Sequence, residues 1–256
     1  MYICYSYNNT INKLMKQALR ILAFSTVILS GCEKEKDEPL LVLSGEYYSE
    51  NTILANNPIM MYTNKGIVKD QQVINRFLLH RPWSKNSFSQ TDIAIPNNNS
   101  CQLIFQSGKK VSIILQSPTY VDTIKTEITS QIANRLILST IDSARTFSPS
   151  FRTASRCEQL SNQIKIEYPN KRCLDLSPVT GYSQICKFRP IRIINIKDKK
   201  LSIPYFSWLI QSETEYSKCS LAVSGEWNGL DLAVVSQLNL GDTIVVQQRE
   251  IPLLKK

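Results

Sequence analysis

From Leu40 onward the chain is written in short apolar and β-branched runs, broken every few residues by Gly, Asn or Ser, a spacing that commits it to many short strands. The runs Ile59 to Tyr62 and Ile67 to Val68 flank Thr63-Asn64-Lys65-Gly66, where Asn and Gly tolerate the positive φ of a tight hairpin. The pattern recurs. Ser107-Gly108 separates Gln102 to Gln106 from Lys110 to Leu115, and Ala133-Asn134 separates Thr126 to Thr129 from Arg135 to Thr140. Asp198-Lys199 separates Ile191 to Ile196 from Leu201 to Ile210, and Leu221 to Trp227 runs into Asn228-Gly229. About ten strands at this spacing predict a mainly β fold, an antiparallel meander forming a barrel or a two-sheet sandwich.

One stretch has a different period. Val73, Ile74, Phe77 and Leu78 recur at helical spacing, Asp70 is a suitable N-cap, and Pro82 bars continuation. These predict one short helix near residues 70–81, with an apolar stripe to bury against a sheet or across a barrel end. Residues 145–162 and 169–185 have weak periodicity and many Ser, Pro and Arg, and read as loops. A subdivision of the β-rich region 40–256 would fall near residues 145–162.

Ahead of this region, Lys16 and Arg20 precede the mostly apolar, uncharged run Ile21 to Leu29, which ends in Leu29-Ser30-Gly31-Cys32. That is the layout of a secretory signal, and the run is too short to remain as a membrane span. Leu-Ser-Gly-Cys after such a core resembles the lipobox of bacterial lipoproteins. The resemblance implies that residues 1–31 are a signal peptide, that cleavage precedes Cys32, and that lipid is attached to its sulfur. Residues Met1 to Leu14 add nothing to an already complete leader, which places the expected start at Met15. Residues 32–39 continue as Glu-Lys-Glu-Lys-Asp-Glu-Pro after the cysteine, a charged tether with nothing to bury. This run resembles the acidic segment of Bacteroidota lipoproteins sent to the outer membrane, often to its outer face; an ordinary hydrophilic spacer is the alternative.

Loss of Lys13, Lys16 and Arg20 with the leader lowers the formal charge from +9 to +6. The remaining Lys and Arg are scattered along the sequence, with no basic helix or interleaved aromatic motif, so a nucleic-acid partner is not expected. Beyond Cys4 and Cys32 stand Cys101, Cys157, Cys173, Cys186 and Cys219, an odd set without a Cys-x-x-Cys pair. In an oxidising envelope these are candidates for one or two disulfides, with at least one thiol left over.

Catalytic motifs are scarce. The single histidine, His80, would have to serve any Ser-His or Cys-His centre alone, and there is no Gly-x-Ser-x-Gly or phosphate-cradling glycine loop. Carboxylates are harder to dismiss, because a glycosidase needs only two, brought together by the fold. Asp122, Asp142, Glu167, Asp175, Glu213, Glu215 and Glu226 are the candidates. Asp122-Thr123-Ile124, Asp142-Ser143-Ala144 and Asp242-Thr243-Ile244 match the short motif of Bacteroidota O-glycosylation, making Thr123, Ser143 and Thr243 candidate sites. Tyr205, Phe206 and Trp208 in one run, with Trp83 and Trp227, suit either a binding surface or a β core. Ser44-Gly45-Glu46-Tyr47 resembles the Gly-x-aromatic opening strand of lipocalin-like proteins, although that family prefers Trp there, and Gly225-Glu226-Trp227 stands near the opposite end.

The expectation is a cell-envelope lipoprotein held in the outer membrane through Cys32, a non-catalytic binding or structural β-domain without a cofactor. Its candidate partners beyond the membrane are a lipid, a glycan or an envelope protein. The alternative is an envelope hydrolase with paired carboxylates.

Overall fold

Eight antiparallel strands close into a barrel, and a smaller sheet grows out of one of its ends. The computed structural model describes residues 43–256 except 81–86, 97–98, 133, 150–154, 167–170, 177–181 and 215–216. The leader, Met15, Cys4, Cys32 and the tether 32–39 lie outside the described residues, as do Trp83, Glu167 and Glu215.

The barrel ring runs β1 (Gly45–Ser49), β6 (Ser100–Phe105), β7 (Lys110–Gln116), β8 (Val121–Ile132), β9 (Arg135–Thr140), β13 (Ile191–Lys197), β14 (Lys200–Thr214) and β16 (Asp242–Lys255). β16 closes it by pairing with both β14 and β1, through Leu201↔Leu253 and Ser49↔Leu253. Followed once round the ring, the register returns to β14 roughly ten residues from its origin, a stagger suited to strands tilted about 40° in an eight-stranded barrel. The alternative of a two-sheet sandwich is thereby excluded.

Alternation along each strand decides what fills the barrel. Leu103, Val111, Ile113, Leu136, Leu138 and Ile203 turn inward and are almost completely buried. Each such side chain contributes about 1.5–3 kcal/mol. Tyr47 and Phe105 add an edge-to-face ring pair with centroids 5.4 Å apart.

The barrel's two ends are built differently. At one end the strands are joined by tight turns at residues 106–109 and 198–199, β8 ends and β9 starts, and β1 begins there. Asp198 and Lys199 both take positive φ, 50° and 62°, in a two-residue hairpin of the kind matched to strand twist. Three long excursions leave from the other end. The first, between β1 and β6, holds β2 (Thr52–Ile53), β3 (Met60–Thr63), β4 (Gly66–Val68), helix α1 (Gln71–Leu79) and β5 (Ile93–Ala94). The second, between β9 and β13, holds β10 (Ala144–Pro149), helix α2 (Arg156–Ser161), β11 (Arg172–Asp175) and β12 (Tyr182–Phe188). The third, between β14 and β16, holds β15 (Ser217–Glu226) and a 3-10 turn at Leu232–Gln237.

These excursions are organised by the overlong strands β14 and β16, which continue past the barrel and collect β15 on one side and β3 and β4 on the other. The extension has two apolar faces because successive side chains alternate. On one, Leu209, Val245 and Met61, joined by Phe88 from the segment between α1 and β5, receive Ile74 and Leu78 of α1. On the other, Phe206, Trp208, Ile210 and Ile244 receive Leu160 of α2 and Val234 of the 3-10 turn. Helix α1 matches the sequence expectation, with the Asp70 carboxylate accepting from the N–H groups of Gln72 and Val73.

Residues 145–162 and 169–185 depart from the loop expectation, since they form β10, α2, β11 and β12. Those strands make a separate three-stranded sheet too narrow to impose a strong period-two pattern, and α2 is a single short helix. Its start was nevertheless written in the sequence: Ser155 and Glu158 form a reciprocal capping box. Leu43–Lys256 forms one compact unit.

Candidate functional site

The cysteines are distributed as two bridges and one thiol among the described residues. Cys157 of α2 is bonded to Cys219 of β15, and Cys173 of β11 to Cys186, which stands directly opposite it on β12. Cys101 is buried in the barrel wall, and that burial pushes its thiol pKa up to about 12.

Glu213 and Glu226 do not converge. In the β14–β15 ladder, Glu213 lies opposite Lys218 while Glu226 lies opposite Phe206, seven positions along the strand. At about 3.3 Å per residue they are roughly 23 Å apart, far beyond the ~5–10 Å of a glycosidase pair. Glu226 is engaged by Lys165 at 2.8 Å and by the Trp208 indole N–H at 3.4 Å, and Glu213 accepts from Gln211. Asp122 is in β8, Asp142 in the turn after β9, and Asp175 in β11, where it accepts from Gln184.

His80 caps α1 and borders an open hollow of about 390 Å³ with Ser212, Glu213, Lys218 and Ser220. This is a nucleophile, an imidazole and an acid in one depression. Among the described residues, however, no hydrogen bond joins His80 to either serine, and the Ser212 hydroxyl is fully buried without a partner. A serine with no base bonded to it is a poor nucleophile, and Ser220, though exposed, donates to the Ile210 carbonyl.

Thr123 and Ser143 are exposed on β8 and in the turn after β9. Thr243 is half-buried in β16, flanked by Thr63 and Gln211 on the neighbouring strands. Its neighbour Asp242 accepts from Arg156 at 2.9 and 3.0 Å and from the Asn239 N–H. That carboxylate anchors α2 to the sheet.

Of the aromatic run, Phe206 and Trp208 are core residues, 2 % and 3 % exposed. Tyr205 turns to the other face, where it stacks on the guanidinium of Arg249, 5.4 Å from the ring centroid. Arg249 is itself 2 % exposed, donates to the Ser87 carbonyl and the Ser207 hydroxyl, and leaves Nε without a partner. Burial pulls its pKa below the ordinary arginine value, partly opposed by Tyr205. This polar layer sits above the aliphatic barrel filling and below the core under α1. Sequence reasoning missed it, because Tyr205 and Arg249 become neighbours only through the β14–β16 register.

A surface concavity of about 670 Å³ lies on the barrel flank by the tight-turn end, between Tyr47, Leu254 and Lys255 on one side and the Lys197 to Lys200 turn on the other. Among the described residues no group of three or more His, Cys, Asp or Glu is arranged to hold a metal ion. No protein-family model matches the chain, and no curated protein and no solved structure matches it either.

Proposed function

We propose that the protein is a non-catalytic binding or structural β-domain of the bacterial cell envelope, held in the outer membrane by lipid on Cys32, and that it meets its partner with its outer surface. The observation that carries the second half is the filled barrel: Leu103, Ile113, Leu136 and Leu138 occupy the axis that a ligand carrier of this architecture would leave open. The leader supports the first half, since two or three acyl chains on a processed cysteine give stable attachment where one would not.

Two measurements test the reading. Mass spectrometry of the native N-terminus is expected to show a diacylated Cys32, and an unmodified cysteine there would remove the anchor. Titration with a fluorescent fatty acid is expected to give no saturable uptake; stoichiometric uptake would restore ligand carriage inside the barrel. A paired-acid hydrolase has less support, given the separation of Glu213 and Glu226.

A further inference from the structure

Seven of the lysines that are scattered along the sequence, and one arginine, are gathered by the fold at one place, the tight-turn end of the barrel. Lys109 and Lys110 come from the β6–β7 turn, and Arg135 from the β8–β9 turn. Lys197, Lys199 and Lys200 come from the β13–β14 turn, while Lys255 and Lys256 come from the end of β16. All eight are exposed; among the acids here are Glu46 and Asp198, and Glu127, which pairs with Arg189, stands opposite Lys110. The opposite turn, Ser117 to Tyr120, carries no charge. Two large apolar side chains, Ile132 and Leu254, are also exposed at the basic rim, at 58 % and 57 %.

This is the same rim from which the chain preceding Leu43 departs, because β1 starts there at Gly45. From the proposed function, on which this inference rests, that preceding chain leads to the lipid. Ten residues lie between Cys32 and Leu43, a span of at most about 40 Å when extended, so the tether permits either a barrel standing off the bilayer or one resting on it. The charge decides between them.

We infer that the basic rim of the barrel seats on the anionic headgroups of the bilayer, with Ile132 and Leu254 at the lipid boundary, and that the three excursions at the other end project away from the membrane. A cluster of lysines a few ångströms from an anionic surface is attracted strongly at low salt and weakly once screened.

The test uses the full chain carrying Cys32→Ser, so that no acyl chain contributes, sedimented with vesicles. Binding is expected to phosphatidylcholine vesicles containing phosphatidylglycerol, at least ten-fold above phosphatidylcholine alone, and to vanish at about 1 M salt, where screening acts within about 3 Å. Removing rim charge with Lys109→Gln, Lys110→Gln, Lys199→Gln and Lys200→Gln is expected to lower binding at least ten-fold. The same change at Lys65, Lys69, Lys125 and Lys187, exposed elsewhere, is expected to retain most of it. Unchanged circular dichroism and melting temperature confirm that both variants fold. Equal binding to both vesicle types, or equal loss in the two variants, overturns the inference. Absence of fatty acid on native Cys32 would sink the tethering reading and leave this assay untouched.

Discussion

Gly225 shows how a single missing methyl group holds the junction of barrel and extension together. It stands at the irregularity in the β14–β15 ladder, with φ +77°, and a Cβ there would fall 1.8 Å from the Tyr205 ring. Its N–H donates to Ser207 Oγ, the oxygen that also accepts from Arg249. Gly225→Ala combines a left-handed backbone penalty with displacement of the ring from the guanidinium, and should cost about 2–4 kcal/mol in a urea melt. Cys101 makes a simpler prediction. With a thiol pKa of about 12 inside the wall, it should resist iodoacetamide in the native protein, take up one alkyl group on denaturation, and leave the four bridged cysteines unreactive until reduction. Neither environment can be read from the residue itself. Tyr205 and Phe206 are adjacent in sequence, yet one meets a buried cation and the other an aliphatic core.

Among the elements, the hairpins were legible because their turns name themselves: Asn64-Lys65-Gly66 and Ser107-Gly108 offer residues that suit the backbone required. Helix α1 was legible for the same local reason, a cap and a period. Helix α2 was not, because a six-residue helix gives no period to detect, although Ser155 and Glu158 marked its start. What fixes α2 is long-range: the Arg156–Asp242 ion pair, with the Asp242 side chain fully buried, and the bridge to Cys219 across 62 residues. Closing a loop of that length restricts the unfolded chain by about 4 kcal/mol in the chain-entropy account. The pair Cys157→Ser with Cys219→Ser should therefore lower the unfolding free energy by about 3–4 kcal/mol. The pair Cys173→Ser with Cys186→Ser, which opens a loop of 13 residues, should cost about 1 kcal/mol less.

At the scale of the whole molecule, closure depends on a short seam, the three residue pairs between β1 and β16, as few as those between β13 and β14. The seam is clasped at its outer end, where Glu46 accepts from the Tyr48 hydroxyl at 2.9 Å and from Lys256 at 3.3 Å, and the Lys256 N–H donates to the Glu46 carbonyl. The Tyr48 hydrogen bond and then Lys256 hold the Glu46 carboxyl below the usual range; the Tyr48 hydrogen bond and then Glu46 hold the Lys256 ammonium above its own. The clasp is thus complete at neutral pH. It weakens as pH falls through the lowered Glu46 value, and again as pH rises through the raised Lys256 value. Hydrogen exchange at the Lys256 amide, corrected for intrinsic rate, should show protection greatest between those limits; protection independent of pH would remove the clasp. That the chain is an antiparallel barrel was half-legible, since strand count and spacing allowed a sandwich equally well. The basic rim was not legible at all, because Lys109, Arg135, Lys199 and Lys256 meet only once the register is known.

The polarity of the barrel has a mechanical consequence. A pull applied to the chain at Leu43 and resisted by whatever grips the excursions has its main component along the tilted strands, so the ladder bonds flanking β1 bear much of the load side by side. Strands drawn lengthwise must break several such bonds together before they slip. A load between Leu43 and the elaborated end is therefore met by those bonds in shear.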